Sequence, residues 1–209
     1  MGGMFVVVDG PDGAGKTTLV ERLARRLRDA GHDLVQVREP GGTASAEVLR
    51  DLVLHRSEYE WTSEAELFLI LAARAELVRN VIRPALDRAG TIVLSDRFVL
   101  STIAYQAVGR GLPEPEVRAA IQLATRGLVP DLTLVLDVQP DVGLRRQEAQ
   151  GKAPDRIERA APDLHERVAA FFSRAEGSGI VHLDGNQGAD EVEVEAWLIL
   201  QARLDGTTS

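Results

Sequence analysis

The chain has 209 residues, enough for one hydrophobic core and few for two, and its 44% apolar and 27% charged content excludes a disordered or fibrous protein. A formal net charge of −8 argues against a nucleic-acid polymer as partner, so any anion must be held locally. The chain lacks cysteine and scatters its four histidines (His32, His55, His165, His182), which leaves no basis for disulfides, thiolate chemistry or a zinc cluster. No apolar run approaches the roughly 18 residues of a membrane helix and the N-terminus lacks a signal-peptide layout, so the expectation is a cytoplasmic chain with no membrane partner.

Met4 to Val8 is a short β-branched and aromatic run closed by Asp9-Gly10, the pattern of a strand covered on both faces. Leu19, Leu23 and Leu27 then recur at helical spacing with Arg22, Arg25, Arg26 and Arg28 between them, and Gly31 can end that helix. Leu34 to Val37 is a second strand, and a helix begins near Ala44. Leu67 to Ala73 is apolar on every side and continues into Leu77, Val78, Val81 and Ile82, which predicts a long helix, deeply buried in its first half and disturbed near Pro84. Thr91 to Leu94, Leu132 to Leu136 and Ile180 to Leu183 complete five strands separated by helical stretches.

This alternation predicts one α/β domain spanning residues 1–209: a five-stranded parallel sheet in three layers, with ligands at the carboxyl ends of the strands, where Asp9, Asp96 and Asp137 lie. The polar stretch from Gln147 to Pro162 interrupts two helical patterns and reads as a flap or lid covering about residues 145–162.

Gly10-Pro11-Asp12-Gly13-Ala14-Gly15-Lys16-Thr17 matches the G-x-x-x-x-G-K-[ST] phosphate-binding pattern, between a strand and a helix, and Thr18 follows it. The glycines let backbone N–H groups converge on a β-phosphate, Lys16 reaches the β and γ oxygens, and Thr17 can ligate Mg2+. ATP or GTP binding follows, and the lack of a guanine-reading Asn-Lys-x-Asp disfavours a GTPase. A nucleotide kinase also needs a second anion pocket in line with the first. Arg38 and Arg97, each just after a strand, can grip a phosphate with a planar guanidinium fork, and Asp96 can orient the water shell of Mg2+.

The glycine loop, Arg38-Glu39-Pro40-Gly41-Gly42-Thr43, Ala72-Ala73-Arg74, Asp96-Arg97, Ser101 through Tyr105-Gln106, and Asp155-Arg156-Ile157-Glu158 together resemble the thymidylate kinase family, in order and spacing, from residue 5 to about residue 200. The resemblance implies ATP-dependent phosphorylation of dTMP to dTDP with Mg2+ on the donor, in a homodimer. It implies that Arg97 holds the acceptor phosphate, Arg74 contacts the pyrimidine, Ser101, Tyr105 and Gln106 line the base and sugar pocket, and Asp12 or Asp9 meets the 3′-hydroxyl. Asp9 also joins Thr17 and Asp96 as a candidate for the metal.

Two positions depart from the family pattern. Ile70 stands where the family usually carries a phenylalanine that stacks on thymine, a contact worth roughly 1–3 kcal/mol; Phe68, two positions away on a helix, should face elsewhere. Gly13 stands where some members place a loop arginine, as in bacterial members that supply lid arginines instead. The lid is depleted here by Gln147-Glu148-Ala149-Gln150 but keeps Arg145, Arg146, Lys152 and Arg156. Arg146 or Arg156 is therefore expected to close over the donor phosphates. The alternatives are a kinase for another nucleoside monophosphate, on account of Ile70, or a non-catalytic nucleotide-binding regulator, on account of the thinned lid.

Overall fold

The computed structural model describes residues 2–56, 58–149, 151, 156–157 and 163–206. Five strands, β1 (Met4–Asp9), β2 (Leu34–Arg38), β3 (Ile92–Asp96), β4 (Leu132–Asp137) and β5 (Ile180–Asp184), form one parallel sheet in the order β2-β3-β1-β4-β5. β1 is central because its residues are apolar on both faces. Val6 and Val8 pack under α1 (Lys16–Asp29) and α9 (Ala189–Leu204), whereas Phe5 and Val7 join Leu77, Ile82 and Phe98 on the opposite face. The five strands and their direction are those expected from the apolar runs.

Local chemistry sets the helix ends. α1 closes with Gly31 at φ 83, the His32 N–H reaching the Leu27 carbonyl and the Gly31 N–H that of Arg28, the double bond of a Schellman motif. Thr43 caps α2 (Ala44–Leu54) and Thr62 caps α3 (Ser63–Leu77), each hydroxyl accepting a first-turn N–H. The disturbance expected near Pro84 is a π-helical stretch, Val78–Ile82, leading into α4 (Arg83–Leu86).

One expectation fails on α3. Its first half is not buried all round, because Phe68 is 63% exposed while Leu67, Ile70 and Leu71 are buried. A helix has only one inward stripe in this three-layer body, and residue 68 lies off it whatever its hydrophobicity.

Beyond β3, α5 (Val99–Thr102) continues into a second π-helical stretch, Ile103–Gly109, and α6 (Glu114–Thr125) returns the chain to β4. α7 (Pro140–Ala149) follows β4 and α8 (Leu164–Phe172) precedes β5. The segment expected to be a lid thus starts as helix. Lys152, Asp155, Glu158 and Gln150, named in that expectation, lie outside the described residues. No helix among the described residues is long and apolar enough to cross a membrane.

Candidate active site

A cleft of about 580 Å³ opens at the carboxyl ends of β1, β3 and β4. The phosphate loop forms its floor, with Gly13 and Gly15 at φ 73 and 96, values that favour glycine. Asp12, Gly13, Ala14, Gly15, Lys16, Thr17 and Thr18 line it, whereas Gly10 does not; a Cβ at Gly10 would stand 2.7 Å from the Leu136 carbonyl oxygen on β4.

Asp12 organises the centre. Its Oδ1 receives the Arg97 guanidinium and lies 3.8 Å from the Lys16 ammonium, and its Oδ2 accepts the Tyr105 hydroxyl at 2.5 Å. Lys16 also donates to the Pro11 carbonyl at 2.6 Å. Burial, with the Arg97 charge beside it, lowers the Lys16 pKa to about 8. Burial also disfavours the charged form of Arg97, but Asp12, Tyr105 and Asp9 outweigh it and hold the guanidinium firmly protonated.

Arg97 sits at φ 73, a conformation costing a non-glycine residue roughly 1 kcal/mol or more. Its surroundings over-determine it. Its N–H bonds the Val8 carbonyl at 2.9 Å and its carbonyl accepts the Ser95 hydroxyl at 2.7 Å. Asp9 completes the support: its carboxylate accepts the N–H groups of Gly10, Phe98 and Ser101 and the Ser101 hydroxyl. It holds the start of α5 from β1 and is not among the residues lining the cleft, and burial raises its pKa. The expectation that Asp9 meets the sugar or a metal gives way to this buried anchoring geometry, because four donors already occupy its two oxygens.

Thr17 and Asp96 meet through a 2.7 Å hydrogen bond from hydroxyl to carboxylate, in the open part of the cleft. Register explains it: Asp96 ends β3 beside Val8, one residue short of the turn into the loop. Two hard oxygen donors side by side suit Mg2+, which keeps several waters and takes few protein ligands.

The acceptor side is built on α3 and the helix after β3. Arg74 is 2% exposed, pairs with Glu39 at 2.6 Å, donates to the Phe98 carbonyl at 3.0 Å and lies over the Phe98 ring. Among the described residues its remaining Nη1 has no hydrogen-bond partner and neither does the buried Thr102 hydroxyl; both residues line the cleft. Ile70, 7% exposed, lines the same region and packs in one cluster with Leu54, Tyr105 and Ile157. Gln106 donates to Glu66 at 3.1 Å. Ser101 donates to Asp9 and accepts from Arg97 at 3.0 Å. Arg38 lines the cleft from the end of β2, paired with Glu47 at 3.0 Å.

The two lid arginines part company. Arg146 reaches the Gly185 carbonyl at 2.6 Å and lines the cleft beside Gln187 and Gly188, at the start of α9. Arg156 does not reach the loop. It binds Glu66 at 2.6 Å and the Val53 carbonyl at 2.9 Å, and Arg110 shares the same carboxylate. Burial would push Glu66 up, but Arg110, Gln106 and Arg156 keep it below the usual carboxylate range.

Sequence reasoning missed Thr102, Arg50 and Glu39 as cleft residues. Thr102 stands three and four positions before Tyr105 and Gln106, so helical spacing already put it on their face. Arg50, which donates to the Pro40 carbonyl at 2.6 Å, shares an α2 face with Leu54. The Glu39–Arg74 pair has no local signal, because it joins the end of β2 to α3 only through the strand order.

A glycine loop between the central strand and α1, facing a carboxylate-held arginine at the next strand end, defines the P-loop kinase fold. The thymidylate kinase family profile matches residues 8–196. The thymidylate kinase of Deinococcus radiodurans is 44% identical over 204 residues, covering 96% of this chain and 98% of its own, and that of Thermomicrobium roseum is 48% identical over 171 residues, covering 82% and 80%. A crystal structure of thymidylate kinase from Ehrlichia chaffeensis superposes with a TM-score of 0.76 at 29% identity, covering 96% of this chain and 99% of that one. The chain belongs to the thymidylate kinase family.

Proposed function

We infer that the protein transfers the γ-phosphoryl group of ATP to dTMP, giving dTDP and ADP. The observation that carries this reading is the convergence of Lys16 and Arg97 on one oxygen of Asp12, which sets a donor-phosphate cation and an acceptor-phosphate cation side by side in one cleft. An oxygen of the dTMP phosphate forms a bond to the γ-phosphorus as the bond to the β,γ-bridging oxygen breaks, and the electron pair leaves with ADP. No covalent enzyme intermediate is needed, so the residues act by position and charge.

In this reading the loop N–H groups and Lys16 hold the donor phosphates, and Arg97, supported by Asp9, Ser95 and Ser101, grips the acceptor phosphate. Thr17 and Asp96 would hold Mg2+, which when bound offsets the charge of the donor oxygens. Asp12 and Tyr105 flank Arg97 and suit the sugar, and Arg38, near the mouth, adds positive charge on the acceptor side. Arg146 and Gln147 wall the donor end and exclude water that would otherwise hydrolyse ATP.

Base choice follows from the two orphan groups. Arg74 Nη1 can only donate and the Thr102 hydroxyl can accept, a pair that suits the 4-carbonyl and N3–H of thymine. The 4-amino group and bare N3 of cytosine present the reverse pattern. The proposal extends to a cytoplasmic homodimer, supported on the assembly side by the exposed Phe68 of α3; sedimentation equilibrium checks the mass.

The test is ADP release over a panel of nucleoside monophosphates with Mg2+ and ATP. Highest kcat/KM on dTMP is expected. A higher value on another monophosphate, or no acceptor-dependent release, contradicts the reading.

A further inference from the structure

Gly143 lies in the first turn of α7, and glycine is a poorer helix former than alanine. Its φ is not positive, so backbone freedom does not account for it. Space does. A Cβ at Gly143 would stand 2.6 Å from the Asp12 carbonyl oxygen, and a Cβ at Gly13 would run into the Gly143 backbone carbonyl. The phosphate loop and α7 therefore touch backbone to backbone, with no room for a side chain from either.

The contact belongs to a closed ring of interactions. One turn along α7, Arg146 donates to the Gly185 carbonyl at 2.6 Å, and Gln147 is buried against the cleft. Gly185 is equally confined, since a Cβ there would stand 2.8 Å from the Asp137 carbonyl oxygen and 3.5 Å from that of Ala14 in the phosphate loop. The loop is thus held between α7 and the turn before α9, and Arg146 ties those two walls together.

We propose that Gly143 is a positioning residue for phosphoryl transfer: it seats α7 on the phosphate loop and so fixes Arg146 at the donor-nucleotide end of the cleft. This rests on the kinase reading. A methyl group at position 143 would force α7 and the loop apart by about 0.5–1 Å to restore van der Waals separation, and misplacement of a positioning group by 1 Å can cost about 10²-fold in rate.

The experiment compares the parent protein with Gly143→Ala, Arg146→Ala and the double variant. Affinity for a non-hydrolysable ATP analogue with Mg2+ and for dTMP is read by calorimetry, turnover by ADP release and stability by thermal unfolding. Alanine is the better helix former, so Gly143→Ala should keep or raise Tm. The expected result is a tenfold or larger loss in ATP-analogue affinity or kcat, dTMP affinity within twofold of the parent, and losses that do not multiply in the double variant. Analogue affinity and turnover within twofold of the parent overturn the proposal, and so do losses that multiply. A lower Tm with parallel loss of both ligands makes Gly143 a packing residue and overturns it as well. A parent that releases ADP with no acceptor defeats the kinase reading, while the analogue affinities still judge Gly143.

Discussion

Lys16, the first residue of α1, and Arg97, in the turn after β3, meet on a single carboxylate oxygen of Asp12. A buried lysine and a half-buried arginine this close repel, and the Asp12 carboxylate between them is what lets both stay charged. Bound phosphates would bring further negative charge to the same place, so the protein holds its anion site assembled before the ligand arrives.

The Lys16 ammonium has its pKa lowered to about 8, first by burial and then by Arg97. A lowered lysine pKa means that the folded protein binds the proton less tightly than the unfolded chain, so this group opposes folding below about pH 8 and ceases to do so as pH rises toward its unfolded value of 10.5. Activity runs the other way, because only the charged form holds phosphate. We expect kcat/KM for ATP to fall as pH passes about 8, and kcat to fall at a higher pH because bound phosphates raise the pKa. A pH–rate profile with both limbs falling together above pH 10 would remove Lys16 from the donor site.

Replacing Arg97 by lysine keeps the charge and loses the planar fork. Steady-state kinetics should show kcat/KM for dTMP reduced by about 10²-fold, with KM for ATP changed much less. An equal rise in both KM values would contradict the division into donor and acceptor cations.

Thr102→Val preserves shape and removes a buried hydroxyl that has no partner among the described residues, so Tm should hold or rise. dTMP affinity should fall about tenfold, the worth of one buried hydrogen bond. Unchanged calorimetric affinity would place the base elsewhere.

Ile70→Phe tests the opposite gain. An aromatic face at the cleft wall should tighten dTMP up to about tenfold, at the lower end of base-stacking energies because the ring must share space with Ile157. Weaker binding with a retained Tm would show that the aliphatic wall is matched to the base as it stands.

The fold was legible because its central strands β1, β3 and β4, buried on both faces, are short apolar runs, and the phosphate loop because its spacing is local. Phe68 misled because hydrophobicity alone does not say which stripe of a helix turns inward. Asp9 looked like a ligand from its place at a strand end, but its oxygens are occupied by the neighbouring Gly10 N–H and by three donors of Phe98 and Ser101, distant in sequence. Arg146 and Arg156 are alternatives in the sequence for closing over the donor phosphates; the partner of Arg156, Glu66, is on α3, a contact that only the packing of α2 and α3 creates. Arg146→Ala should therefore weaken ATP more than Arg156→Ala, whose loss should appear in Tm and in dTMP binding.

The central claim is that two phosphate cradles face each other across Asp12. A ligand joining adenosine to thymidine through an oligophosphate chain measures this directly by competition calorimetry. Occupying both cradles at once, it should displace ATP and dTMP alike and bind at least about 10²-fold more tightly than either. Affinity no better than that of ATP alone, with dTMP still free to bind, would contradict the account.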